Sequence, residues 1–190
     1  MNLQRIDGHT IDLDLLTNSG TVVDLGCRGF VFANYFKNLG YSVIAVDADP
    51  LVFNTVPSDI VFINKAICTE RKEVKIYNTL TESGYTSDVR LYHNDGGVTV
   101  ECVPLQEIEP NKDYELLKID IEGGEYPILS HNLFKPRARQ ITVEFHEHNL
   151  KELHDTYFKS VADNLSKWYD LVYIMENNQY KYIDCLFIRR

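Results

Sequence analysis

The stretch LLKIDIEGGEYPIL, residues 116–129, decides how the rest of the chain is read. Leu117, Ile119 and Ile121 alternate with Lys118, Asp120 and Glu122, the period of a strand with one polar face. The flanking segments suggest a buried parallel strand, which is normally apolar on both faces. Three charges in its second half, running into Gly123-Gly124, need an explanation. In an open α/β sheet, ligands bind beyond the carboxyl ends of the strands, and glycine there admits a ligand close to the backbone. The charges are therefore read as the floor of a site. The alternative is a Lys118–Asp120 pair that is only structural.

Working outward, TVVDLG (21–26), YSVIAVD (41–47) and IVFINKAI (60–67) are apolar, β-branched runs that predict strands. FVFANYFKNLG (30–40) predicts a helix closed by Gly40, and Asp49-Pro50 opens another with Asp49 as its cap. This β-α-β-α-β order implies a right-handed, doubly wound parallel sheet. EVKIYN (73–78) and VTVECVPL (98–105) predict extra strands around a polar loop containing SGYTSD (83–88), which is read as a lid or a plain turn. YELLKIDIEG (114–123) is the fourth core strand. GEYPILSHNLF starts a helix with Pro127 in its first turn. RQITVEFHEH (139–148) is the fifth strand, and 149–168 form an amphipathic helix capped by Asn149. DLVYIME and YIDCLFIRR read as a closing pair of strands. One domain spans residues 1–190, with no internal repeat and no long linker.

Composition removes several function classes. The 190 residues carry 28 acidic and 19 basic side chains, a formal net charge of -9, with no Lys/Arg stripe. A nucleic-acid backbone needs a positive footprint, so nucleic acid is not an expected partner. No apolar run approaches the roughly 20 residues of a membrane span, so no membrane is expected. The opening MNLQRIDGHTIDLDLL does not read as a signal peptide. Cys27, Cys68, Cys102 and Cys185 lack C-x-x-C spacing and are read as buried thiols of a reducing, cytoplasmic compartment. Oligomeric state is open.

Two further stretches carry chemistry. In VVDLGCRGF (22–30), Asp24 ends a strand, and Gly26 and Gly29 supply either a ligand-binding turn or an ordinary strand–helix turn. Asp47 ends the next strand 21 residues after Gly26, the spacing at which a carboxylate holds a ribose diol. The bland reading of Asp47 is a solvated strand end. In TVEFHEH (142–148), Glu144, His146 and His148 share one strand face. They read as a base with its orienting partner, as metal ligands, or as loop residues. No fixed spacing such as H-E-x-x-H is present, so no residue is assigned as a metal ligand. Trp168 is read as packing.

The order VVDLGCRG…VIAVDADP…KAI…SGYTS…LLKIDIEGGEYPIL…ITVEFHEH resembles the FkbM-type S-adenosylmethionine-dependent methyltransferases over roughly residues 20–148. KIDIEGGE before an apolar helix start is its most specific piece. The resemblance implies a three-layer, Rossmann-like class I methyltransferase fold: a mostly parallel seven-stranded sheet with its last strand antiparallel. It implies S-adenosylmethionine as cofactor, with Asp24, Gly26, Arg28 and Gly29 at the methionine end. Asp47 would lie on the ribose hydroxyls, Ala66 near the adenine, and Asp120 and Glu122 beside the transferred methyl group. The implied reaction is O-methylation of a hydroxyl on a sugar or small metabolite. Asp120, Glu122, Glu144 and His146 are then the catalytic candidates, because an alcohol attacks better as its proton leaves. An acidic mouth suits a cationic sulfonium.

The chain departs from the family loop D-x-G-A-N-x-G. Gly26 and Gly29 are three residues apart, Arg28 lies between them, and Phe30 stands where glycine is more common. Arg28 would pair with the methionine carboxylate or with Asp24, or would block the site. The shortened loop keeps a catalytically degenerate binding module as a rival. A nicotinamide-dependent oxidoreductase is a lesser rival, disfavoured by the incomplete G-x-G-x-x-G.

Overall fold

The first 20 residues carry no predicted element, yet they begin with a hairpin of β1 (Leu3–Ile6) and β2 (His9–Asp12). Its turn is Asp7-Gly8 with φ of 49° and 86°, the twist that a tight two-residue hairpin requires. All of β2 is buried. It lies against the sheet, where Gln140 Oε1 accepts from Asp12 N–H at 2.9 Å and Gln140 Nε2 donates to Asp12 O at 2.9 Å. The computed structural model describes residues 1–76, 98–108, 113–122, 124–131, 134–135, 137–146, 154–177 and 182–190. The SGYTSD loop, Gly123, His148 and the expected cap Asn149 lie outside the described residues.

After the hairpin come β3 (Thr21–Leu25), α1 (Val31–Asn38), β4 (Ser42–Asp47), β5 (Val61–Asn64), β6 (Ala66–Cys68), β7 (Lys72–Ile76) and β8 (Val98–Pro104). They are followed by β9 (Tyr114–Ile119), α2 (Glu125–Ser130), β10 (Ala138–His146), α3 (His154–Leu165), β11 (Tyr169–Asn177) and β12 (Tyr182–Arg189). The protein is α/β, with a seven-stranded mixed sheet in the order β11-β12-β10-β9-β3-β4-β5. β5, β4, β3, β9 and β10 run parallel, and β12 is antiparallel to both β10 and β11.

Alternation along the central strands sorts the core into two faces. Val23, Leu25, Ile44, Val46, Leu117 and Ile119 pack with α2 and α3 side chains such as Tyr126, Leu129, Val161 and Leu165. Val22, Val43, Ala45 and Leu116 pack with Phe32, Ala33 and Phe36 of α1 and with Ile11 of the hairpin.

Three expectations are corrected. IVFINKAI is not one strand: β5 closes the edge of the main sheet, whereas β6 joins a separate sheet of order β6-β8-β7. The chain switches sheets at Lys65, whose N–H folds back onto Ile63 O. The segment after Asp49 is a 3-10 helix, Pro50–Thr55, although Asp49 caps it as expected by accepting from Leu51 N–H at 2.9 Å. Finally, the four cysteines are not all thiols. Neighbouring β6 and β8 bring Cys68 and Cys102 together as a disulfide, while Cys27 and Cys185 are free and buried.

Phe30 shows how the shortened loop is accommodated. It precedes α1 in the left-handed region at φ 55°, where glycine would be unstrained, yet its ring is buried against Phe62 at 6.0 Å between centroids. The left-handed conformation costs about 1 kcal/mol or somewhat more, and truncating a buried phenylalanine costs about 3–5 kcal/mol. Packing wins. Phe30→Gly is expected to destabilise the protein by about 2–4 kcal/mol in urea unfolding; a stabilised variant would show that strain, not packing, governs this position.

Candidate functional site

The strand quoted at the outset ends at Ile119, so only Lys118 of its three charges lies within it. Asp120 and Glu122 follow in the turn, and Glu122 takes a left-handed φ of 55°. Lys118 and Asp24 are register partners on adjacent parallel strands and face the same side, toward α1. Lys118 Nζ lies 3.1 Å from Asp24 Oδ1 and 3.5 Å from Asp120 Oδ2, and it donates to Gly26 O at 2.6 Å. Burial pushes the ammonium toward neutrality, but Asp24 and Asp120 outweigh it and hold Lys118 charged. The structural pair is thus Lys118 with Asp24, and Asp24 is an interior counterion with its side chain 1% exposed.

Gly26 makes the turn at φ 78°, and a Cβ there would fall 1.7 Å from Asp120 O, so only glycine fits. Its N–H bonds Val46 O at 2.8 Å, while Asp120 N–H bonds Leu25 O at 3.1 Å. Three strand ends are thereby tied together at the mouth of a cavity. Gly26, Arg28, Asp47, Ala66, Asp120 and Glu122 all line it, with an apolar wall from Val46, Ile67 and Ile76. Gly29 is exposed, and nothing lies within 4 Å of its would-be Cβ. Arg28 is exposed at the rim and leaves the cavity open.

Asp47 accepts from Asp49 N–H at 2.9 Å. Burial pushes its carboxyl up to about 6, with Asp49 and Asp24 adding to the rise. Asn64 Nδ2 donates to Asp47 O and Ala48 O, fixing this strand end against the edge of the sheet.

Glu144 and His146 are not among the residues that line that cavity. They join it through Asp120. Asp120 Oδ1 lies 3.7 Å from His146 Nε2, and Oδ2 lies 3.5 Å from His9 Nε2. His146 Nε2 is also 3.6 Å from Glu122 Oε2 and 3.7 Å from Glu144 Oε1, while Nδ1 is 3.3 Å from Glu125 Oε1. Glu125 is fully buried, and its Oε1 accepts from Ile121 N–H at 2.9 Å.

The electrostatics separate these carboxylates. For Asp120, burial favours the neutral form, but Lys118, His9 and His146 overcome it and hold the carboxyl well below its usual range. Burial raises Glu122 to about 7, aided by Asp120 and Glu125. Burial likewise raises Glu144 to about 7, aided by Asp120. Burial opposes the charge on His146, yet Glu125, Glu122 and Asp120 lift it to about 10.

His9 was the residue without a sequence signal of its own. The Asp7-Gly8 turn is the feature that marks the hairpin and hence its position.

An α/β sheet with a glycine turn, a strand-end carboxylate and an apolar wall is the arrangement of a nucleotide-type cofactor cavity. The family model for the methyltransferase FkbM domain matches residues 27–182, and the chain belongs to that family. Family membership implies S-adenosylmethionine as the cofactor, and it leaves the oxidoreductase reading without support. Among solved structures, the fibrillarin/Nop5p complex aligns over 92% of this chain and 75% of its own, with a TM-score of 0.52 and 11% identity. A TehB-like S-adenosylmethionine-dependent methyltransferase from Corynebacterium glutamicum aligns over 90% of this chain and 80% of its own, with a TM-score of 0.49 and 12% identity. The first is a likeness of fold alone, and the second is weaker. No curated protein matches the sequence significantly. Among the described residues, no helix is long and apolar enough to cross a membrane.

Two outcomes follow from this geometry. Lys118→Met leaves Asp24 buried without its cation and is expected to cost about 3–5 kcal/mol in chemical denaturation. A loss below 1 kcal/mol would mean that Asp24 is not held by this pair. Asp47 has a raised carboxyl in the folded chain, so its contribution to stability is full below its ordinary 3.8 and is lost as pH rises through about 6. Asp47→Asn removes that titration. Its stability relative to the parent is expected to climb between acid and mildly alkaline pH; a difference that stays flat contradicts the burial of this carboxylate.

Proposed function

We propose that the protein is an S-adenosylmethionine-dependent O-methyltransferase whose acceptor is a hydroxyl on a sugar or small metabolite. The observation that carries this reading is the position of Asp120, which lines the cavity and also contacts both His9 and His146. We read the sheet order, with β12 antiparallel between β10 and β11, as the three-layer, Rossmann-like class I arrangement.

The cavity fits the cofactor. The turn of Gly26 gives its backbone, Asp47 offers a carboxylate to the ribose hydroxyls, and Ala66 with Ile67 and Ile76 forms an apolar bed for the adenine. Arg28 at the rim is placed to meet the methionine carboxylate, and Gly29 leaves that approach free of side chain. Asp24 acts from behind, by fixing Lys118. When bound, the cofactor supplies a methyl group on a positively charged sulfur.

The chain's own residues do the rest. Asp120 and Glu122 at the cavity, with Glu144 and His146 behind Asp120, orient the acceptor hydroxyl. Glu122 and Glu144, raised to about 7, are the groups poised to take its proton, while ionised Asp120 and the His146 cation position and balance charge. The acidic surroundings favour a cationic cofactor over a neutral one. The partner is a small molecule or glycan, with neither nucleic acid nor membrane required. The cytoplasmic expectation drew on four thiols, and the Cys68–Cys102 disulfide weighs against it, since disulfides are rare in a reducing compartment.

The test is Asp120→Asn. The variant is expected to fold, to keep its affinity for S-adenosylhomocysteine within a few-fold, and to lower labelled-methyl transfer to hydroxyl acceptors by roughly 10²–10⁴-fold. Undiminished transfer would sink the assignment of this strand end to the chemistry.

A further inference from the structure

His9 is fully buried, and neither of its ring nitrogens makes a hydrogen bond. A buried imidazole left in that state is costly, since each orphaned polar atom forfeits its hydration. The ring is held edge-on by Phe32, with centroids 5.7 Å apart. Its Nε2 points at two carboxylates from different segments, Asp120 Oδ2 at 3.5 Å and Glu144 Oε2 at 3.9 Å. One donor atom from each of His9, Asp120 and Glu144 lies within 4.8 Å of the other two.

We propose that His9, Asp120 and Glu144 form a binding site for a divalent first-row metal cation. Ligand bonds of about 2.1 Å put donors about 3–3.5 Å apart, so the three groups need only a small contraction around an ion. Charge points the same way. Asp24, Asp120, Glu122, Glu125, Glu144 and Asp184 meet here, and the facing cations are Lys118, His146 and Arg28, whose charge reaches Glu122, with His9 itself bearing on Asp120 and Asp184. Lys118 is already committed to Asp24 and Gly26 O. A divalent ion neutralises part of the remaining negative charge and satisfies Nε2 of His9 at once.

The neighbouring triad of Asp120, Glu125 and His146 also has ligand-like spacing. It is the poorer site, because Glu125 Oε1 already accepts from Ile121 N–H and lies against His146 Nδ1. One imidazole with two carboxylates suits Mn²⁺ or Zn²⁺ better than Mg²⁺, which favours an all-oxygen shell. Three protein ligands leave coordination positions open to water or to an acceptor oxygen. In the methyltransferase reading, an ion there lowers the proton affinity of the acceptor hydroxyl. That consequence rests on the proposed function; the binding itself does not.

The experiment is titration of the metal-stripped full chain with Mn²⁺, followed by electron paramagnetic resonance, and with Zn²⁺, followed by calorimetry, without cofactor or acceptor. The parent is expected to bind one equivalent saturably. His9→Ala is expected to weaken that binding about tenfold or more. Glu144→Gln, which keeps the packing volume, guards against a loosened hairpin and is expected to do the same. Asp170→Asn, at an exposed ion pair with Arg190, is expected to bind like the parent. No saturable binding by the folded parent, or equal binding by all three variants, would overturn the site. S-adenosylhomocysteine binding is measured on the same samples. If it fails while metal binding persists, the cofactor reading falls and the metal site stands.

Discussion

A single buried cation fixes the geometry of this site. Lys118 is 3% exposed at its side chain, and removing an ammonium from water costs several kcal/mol unless its surroundings compensate. The compensation comes from three places that would otherwise be independent: Asp24 at the end of β3, the Gly26 carbonyl in the following turn, and Asp120 beyond the end of β9. Releasing any one of them leaves charge or dipole unbalanced in the interior. The strand ends, the glycine turn and the carboxylate at the cavity mouth are therefore positioned as one unit. The close approach of Gly26 to the Asp120 carbonyl, which excludes any Cβ, is the steric counterpart of the same constraint.

Beyond this unit, the excess of carboxylates is less well compensated. Lys118 serves Asp24 and Asp120, and the carboxylates farther out have less cationic company. Burial without full compensation is what lifts Glu122 and Glu144 toward neutrality. Asp120, flanked by Lys118, His9 and His146, stays ionised. Groups of one chemical type thus acquire different proton affinities within a few ångströms, the arrangement that sites of proton transfer use. The N-terminal hairpin contributes to this by placing His9 against the sheet face that carries Glu144, and Thr10 on Asp184 at 2.6 Å.

Much of the fold was legible because buried parallel strands write largely apolar, β-branched runs, as β3 and β4 do, and because β9 and β10 keep an apolar residue at every second position through most of their length. The strand-end residues Gly26, Asp47, Asp120 and Glu122 were legible for a related reason: polar residues and glycine interrupt those runs where the chain leaves the core. What sequence periodicity does not carry is lateral assembly. The split of IVFINKAI between two sheets depends on pairing with β8, far away in sequence. The Cys68–Cys102 link depends on the same pairing. His9 sits in a segment of four residues, too short for a period to stand out, and its neighbours Asp120, in the turn after β9, and Glu144, in β10, are distant in sequence. Asp24 was legible as a site residue and as a possible partner of Arg28, but not as the counterion of Lys118, because Lys118 lies across the sheet rather than along the chain.

The central claim is that the charged end of β9 is the floor of a cofactor site. Calorimetric titration of the folded parent protein with S-adenosylhomocysteine tests it most directly. The account predicts saturable binding with a Kd on the order of micromolar, about -8 kcal/mol. Well-folded protein that shows no binding would contradict it and would return the cavity to the reading of a methyltransferase fold that has lost its cofactor.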